Sequence, residues 1–292
     1  MKIQTECLPC LLKRLLFETE LSTTDADKRT KALRTACAML ANLYDPSVCS
    51  ATIATQVHQA VYEALGDKDP YQTLKQQSNA VATTLVPKVE QLIRSSADPL
   101  KTSMLCAIIG NIMDFGIDGA SAHPEMLQEV FEQLYAEGLG YDDYEALRTL
   151  LRDATRVVLF IDNCGEIVFD KLLCRELKAS YPRVHLTVVV KGEPILSDAT
   201  MQDAEDIRLG EVVDEVLTTG CFAVGVDFVR LPGKVAETLE RADVIIAKGM
   251  ANYESFSETR YRPIAYLLRT KCSAIARSMG LPRDISAIQL VT

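Results

Sequence analysis

Histidine is scarce in this chain. His58, His123 and His185 are isolated from one another, so a zinc site built on imidazoles finds no support. Long apolar runs are missing too, and no segment approaches the roughly 18–20 uninterrupted apolar residues of a membrane span. Positive charge is in deficit, with 31 Lys and Arg against 40 Asp and Glu and a net charge of -9. That balance argues against a general nucleic-acid-binding surface, which needs a basic footprint. It still allows a small phosphorylated metabolite held by a local cation cluster or a metal. Glycine-rich phosphate cradles are absent: a lone Gly165 follows the first strand-like run, and no GxxxxGK(S/T) loop occurs.

Nine cysteines are present, an odd number without a framework pattern. The opening MKIQTECLPCLLKRLLFETE lacks the apolar core and small-residue cleavage site of an export signal. The expectation is a cytoplasmic protein with reduced thiols. Cys7-Leu8-Pro9-Cys10 is half of a metal site, a redox pair or incidental; no second CxxC supports the first two readings.

Two textures divide the chain. From residue 1 to 150 apolar residues recur at three- and four-residue steps, as in Leu8, Leu11, Leu12, Leu15 and Leu16. Breakers at Asp45-Pro46, Gly66 to Pro70, Asp98-Pro99 and Gly116 to Gly119 suit a bundle of about five to seven helices. From 151 to 292 short β-rich runs alternate with amphipathic segments: RVVLFI, HLTVVV, DEVLTT, ADVIIA, PIAYLL and CSAIA. This alternation predicts a three-layer α/β/α domain with a mostly parallel sheet. The fold class expected is thus a two-part α+β chain, a helical bundle packed on that domain.

Ligands of an open parallel sheet bind beyond the carboxyl ends of its strands. Polar residues stand there in this sequence. Asp162-Asn163 follows RVVLFI, and Ser197-Asp198 lies shortly after HLTVVV. Lys248, Asn252, Tyr253 and Glu254 follow ADVIIA, while Arg269, Thr270 and Lys271 follow PIAYLL. Carboxylate and amide oxygens suit hard cations such as Mg²⁺ or Mn²⁺, and Lys or Arg would neutralise phosphate charge.

Simpler readings stand beside this one. Asn163-Cys164-Gly165-Glu166 fits a helix capping box, which accounts for Asn163 and Glu166 but not for Asp162, a carboxylate at a buried strand end. Asp198 also suits a solvated turn, and Lys271 an ordinary surface cation. Cys164 stands where a haloacid-dehalogenase-type phosphatase carries its second acid. It reads as a small buried spacer.

With these stretches in view, the sequence resembles the DUF89 family of metal-dependent damage-control phosphatases, in its microbial branch that begins with a CxxC. The stretches are ECLPC, DPYQTLKQQSN, AIIGNIMDFG, DNCGEIVFDK, PILSDAT, KGMANYES and LLRTKCSAIA, in order along nearly the whole chain. The resemblance implies that Asp162, Asn163 and Asp198 bind a divalent metal (Mn²⁺, Mg²⁺, Co²⁺ or Ni²⁺). It implies that Glu166, Asn252 and Lys271 line the substrate or phosphate site, with Asn111 and Asp114 approaching from the helical half. Ser197 departs from the family's usual Asn before the ligand Asp. The expected activity is hydrolysis of small phosphate esters, sugar phosphates or damaged phosphometabolites. Either Asp162 or Glu166 orients water as general base, or Asp162 forms an aspartyl-phosphate. The alternatives are a non-catalytic metal and phospholigand-binding module and, as a minor one, a carboxyl methyltransferase.

Overall fold

A computed structural model gives the fold, and the structure describes residues 1–113 and 124–292. Seven α-helices precede the second strand of the sheet among the described residues: α1 (Cys7–Ser22), α2 (Ala26–Leu43), α3 (Ser50–Leu65), α4 (Gln72–Ser95), α5 (Pro99–Ile109), α6 (Pro124–Glu137) and α7 (Tyr144–Asp153). Local signals set several boundaries. Asp25 caps α2 by accepting from the Asp27 and Lys28 amides, and Asp98 caps α5 through Lys101 N, with Pro99 in the first turn. The Gly116 to Gly119 punctuation lies outside the described residues.

A short strand, β1 (Leu139–Asp142), sits before α7. The remaining elements are β2 (Arg156–Phe160), α8 (Glu166–Ser180), β3 (His185–Val190), α9 (Met201–Asp206), β4 (Glu215–Thr218), α10 (Gly233–Glu240), β5 (Val244–Lys248), α11 (Gly249–Phe256), β6 (Ile264–Arg269), α12 (Ser273–Met279) and β7 (Ser286–Val291). The seven strands form one sheet in the order β1-β7-β6-β5-β2-β3-β4. β2 to β6 are parallel, β7 runs antiparallel to β6, and β1 pairs parallel with β7. The mostly parallel sheet and its flanking helices are as the sequence predicts.

Two details differ. CSAIA is not a strand: Cys272 caps α12, which ends at Gly280 in the left-handed conformation. β1 and β7 extend the sheet beyond the strands read from sequence.

Alternation along the strands divides the core. Val157 and Leu159 face a cluster with Val89 of α4, Met104 and Ile108 of α5, and Leu173 of α8. Val158 and Phe160 face the opposite cluster, with Leu239 of α10, Phe256 of α11 and Ile275 of α12. Removing a buried side chain such as Leu159 would cost about 2–5 kcal/mol. A separate core, including Leu15, Ala36, Leu40, Val57 and Val61, joins α1, α2 and α3. Among the described residues no helix is long and apolar enough to cross a membrane.

The strand order has a functional consequence. From β2 the chain moves outward to β3 and β4, then returns to β5 on the other side of β2. The crevice between the carboxyl ends of β2 and β5 is therefore a topological switch point, where open α/β sheets bind ligands.

Candidate functional site

Asp162 and Asn163 lie just past β2, at that switch point, each 5% exposed. A buried carboxylate needs donors to offset lost hydration. Asp162 Oδ2 accepts from Asn163 Nδ2 at 2.7 Å and from Asn111 Nδ2 at 3.4 Å. Asn163 pairs with Asp198 in an isolated antiparallel bridge, and Ala199 N donates to the Asp162 carbonyl at 2.8 Å. The loops after β2 and β3 are thereby stitched together, setting Asp162, Asn163 and Asp198 side by side. Ser197 contributes by donating from Oγ to Asn163 Oδ1 at 2.9 Å.

Asp198 is 2% exposed, with its Oδ2 3.3 Å from the Nζ of buried Lys191. A solvated turn does not describe it. The capping-box reading also gives way. α8 begins at Glu166 with Gly165 as N-cap, which has no side chain to accept from the first-turn amides. Asn163 Oδ1 is engaged by Ser197, and the reverse arm, Asn163 N to Glu166 Oε2, is 3.5 Å long.

Glu166 is 1% exposed and faces the cluster. It pairs with Lys248 through Oε1, and its Oε2 accepts from Asn111 Nδ2 at 2.7 Å. Lys248 also bonds Asp170 Oδ1 at 2.7 Å and the Ala107 carbonyl at 3.0 Å. Burial pulls the Lys248 pKa down, but the Asp170 and Glu166 carboxylates outweigh it and hold the ammonium above its ordinary value. Asp170 is raised to about 7 by burial, with Lys248 opposing the rise and Glu166 adding to it.

Gly249 has φ 75, and a methyl group built on it would overlap the Asp162 carboxylate. The Asp162 side chain fills the space that a side chain at this position would take. Asn252, fully buried, donates from Nδ2 to the carbonyls of Ile161 (3.1 Å) and Lys248 (2.8 Å), tying together the ends of β2 and β5. Its Oδ1 has no hydrogen-bond partner among the described residues. Lys271 crosses to the helical half, donating from Nζ to both the carbonyl and Oδ1 of Asn111 at 2.6 Å.

The structure thus gathers Asn111, Asp162, Asn163, Glu166, Asp198, Asn252 and Lys271 at one place. Asp114 lies outside the described residues. Other strand-end residues are directed elsewhere: Arg269 pairs with Glu137 at 3.3 Å, Tyr253 bonds Ser278 at 2.8 Å, and Thr270 donates to Pro282 O at 2.8 Å. Buried Cys164 is 1% exposed, and burial, followed by nearby Asp203, pushes its thiol pKa well up, which fits a spacer.

Sequence reasoning missed three contributors. Lys191 directly abuts the HLTVVV run. Asp170 lies four residues after Glu166 on an apolar helix, a spacing that puts both on one face. Asn79 of α4 accepts from Gly165 N at 2.6 Å and donates to Asp203 at 3.3 Å; it ends the DPYQTLKQQSN stretch, the signal that could have found it.

The donor set fits a hard divalent ion. Asp162, Asn163 and Asp198 offer buried oxygens adjacent in space, and Asn252 adds an unmatched amide oxygen nearby in the fold. Among the described residues no three His, Cys, Asp or Glu side chains are grouped to hold a metal, so an ion here would need an amide oxygen beside the carboxylates. All nine cysteines are free thiols.

Known proteins match this chain over its length. Residues 3–285 match the damage-control phosphatase ARMT1-like domain. A damage-control phosphatase of Archaeoglobus fulgidus is 40% identical over 281 residues, 96% of each chain. Another, from Pyrococcus horikoshii, is 31% identical over 283 residues, 97% of this chain and 96% of that one. A crystal structure of a DUF89 family protein from Pyrococcus horikoshii superposes with a TM-score of 0.90 at 30% identity, covering 100% of both chains. The chain belongs to the damage-control phosphatase ARMT1-like, or DUF89, family.

Proposed function

We propose that this protein is a metal-dependent phosphatase acting on small phosphate esters, with its site at the β2/β5 switch point. The observation that carries this reading is the bridge between Asn163 and Asp198, which brings Asp162, Asn163 and Asp198 together opposite Asn111 and Lys271. Phosphatase activity is the named property of two relatives matched over nearly their whole lengths.

Asp162, Asn163 and Asp198 would hold the ion, Mn²⁺, Mg²⁺, Co²⁺ or Ni²⁺. It would supply Lewis-acid stabilisation of phosphoryl charge and a bound water of lowered pKa. Lys271 and Asn111, already bonded to each other across the cleft, would turn to the phosphate and neutralise its remaining charge. Asn252 holds the ends of β2 and β5 in register through its Nδ2, its buried amide oxygen lying beside the proposed site. Glu166, engaged through both oxygens, orients substrate. Asp162 orients the attacking water or receives the phosphoryl group itself.

The test is phosphate release by chelator-stripped protein across a panel of sugar phosphates, with each of the four metals and without metal. Metal-dependent release that is lost in Asp198→Ala supports the reading. Full activity in that variant contradicts the metal assignment. No release by wild type from any ester, under conditions where metal binds, contradicts the hydrolase.

A further inference from the structure

The strand-end cluster has an inner layer to which no role has been given. Lys248 closes β5 with no exposed surface, and its Nζ contacts Glu166, Asp170 and the Ala107 carbonyl. An ammonium has three donors, and here three protein groups receive them. Lys248 therefore has no donor left for a phosphate. Whatever it does for the reaction it does through its partners.

Those partners come from separate parts of the fold. Glu166 and Asp170 are one turn apart on α8, and Ala107 lies in α5, from the helical half. Glu166 is then held from two sides, by Lys248 on Oε1 and by Asn111 Nδ2 on Oε2 at 2.7 Å. Asn163 Nδ2 approaches the same Oε2 at 3.4 Å. A displacement of Glu166 would thus be felt by two residues proposed to bind substrate and ion.

We infer that Lys248 is a positioning residue. Backed by Asp170, it fixes the Glu166 carboxylate against Asn111 and Asn163, and so sets the substrate side of the site from beneath. The assignment rests on the phosphatase reading for its catalytic consequence, and on the contacts alone for its geometry. Removing Lys248 leaves two buried carboxylates facing each other without their cation. Glu166 would move, and substrate would meet it in the wrong place.

A double-mutant cycle tests this. Wild type, Lys248→Met, Glu166→Gln and the double variant are compared on kcat/KM for the ester that wild type turns over best, at saturating Mn²⁺ and per folded molecule. Each single variant is expected to lose roughly tenfold or more, and the double to be no worse than the poorer single, because both changes remove one interaction. Losses that multiply, or an unchanged kcat/KM in folded Lys248→Met, overturn the assignment. A merely structural lysine would lower Tm without that coupling. If Lys248→Met does not fold, Asp170→Asn replaces it; that variant keeps the Lys248–Glu166 contact, and its expected loss is about threefold, again not multiplying with Glu166→Gln. If wild type hydrolyses no ester, the phosphatase reading falls, and the same cycle is read on affinity for inorganic phosphate by calorimetry. Coupled losses there retain the Lys248 assignment, while independent losses or unchanged affinities overturn it.

Discussion

Two of the clusters of buried polar side chains among the described residues differ in kind, and the contrast between them shows what marks a functional site. Toward the N-terminal end, Glu18 of α1, His58 of α3 and Tyr71 meet inside the structure, at 0%, 1% and 1% exposure. His58 Nδ1 is 2.9 Å from Glu18 Oε1, and the Tyr71 hydroxyl donates to Glu18 at 3.4 Å. One carboxylate serves two ring partners in the helical part of the chain. At the strand ends, four carboxylates (Asp162, Glu166, Asp170 and Asp198) gather with Lys191, Lys248, two asparagines from the loops and helices around them, and an unmatched Asn252 oxygen. Burial is common to both. What distinguishes the second is four carboxylates, delivered to a switch point by the loops after β2 and β3 and by the first turns of α8.

That contrast can be broken by mutation. The largest effect expected is from Asp198→Ala: metal-dependent phosphate release should fall by roughly a hundredfold or more, since even residues outside a metal's direct ligands are commonly worth 10–100-fold. Thermal melting should show a folded protein. A variant that turns over normally would move the site elsewhere. Gly249→Ala should damage both properties, because its φ of 75 disfavours a side chain and the new methyl group displaces Asp162. About 1–3 kcal/mol of stability and roughly tenfold or more of activity should be lost together. Wild-type activity in that variant would mean that Asp162 need not sit where the structure places it.

Glu18→Ala provides the opposite pattern. It removes the carboxylate that buried His58 and Tyr71 share, so stability should fall by about 1–3 kcal/mol in chemical denaturation. Release per folded molecule should not change, and a parallel loss of kcat would dissolve the distinction between the clusters.

The smallest effect is a pH dependence. Asp170 is raised to about 7 in the folded protein, against about 3.9 for an unperturbed Asp. The native state therefore binds a proton that the unfolded state has released between those values. This group makes stability decline as pH rises from about 4 to about 7 and level off above. Asp170→Asn should flatten that part of the stability–pH curve; an unaltered slope would place the titration on another group.

How much of this was legible in sequence follows from where the physics is local. RVVLFI and ADVIIA are apolar runs that stop abruptly at Asp162-Asn163 and Lys248-Gly249, and a parallel strand end announces itself that way. CSAIA is five residues long, too short for periodicity to separate strand from helix. The readable sign was Gly280, which closes α12. β1 has only four residues, three of them exposed, so its place beside β7 depends on tertiary pairing. The site shows the same division. Asp162, Asn163 and Asp198 stand beside strand ends, whereas Asn79 reaches Gly165 across 86 residues of chain. Lys248 and Glu166 were visible as residues, but their pairing, with Asp170 and the Ala107 carbonyl beside them, was not.

The central claim is that the strand-end cluster hydrolyses phosphate esters with a divalent ion held by Asp162, Asn163 and Asp198. The most direct measurement is phosphate release from a sugar-phosphate panel by chelator-stripped wild type and Asp162→Ala, each with and without Mn²⁺, with Glu18→Ala as the buried-polar control. The account predicts release by wild type and Glu18→Ala only when metal is restored, and none by folded Asp162→Ala. Release that is indifferent to metal, or undiminished in Asp162→Ala, would contradict it.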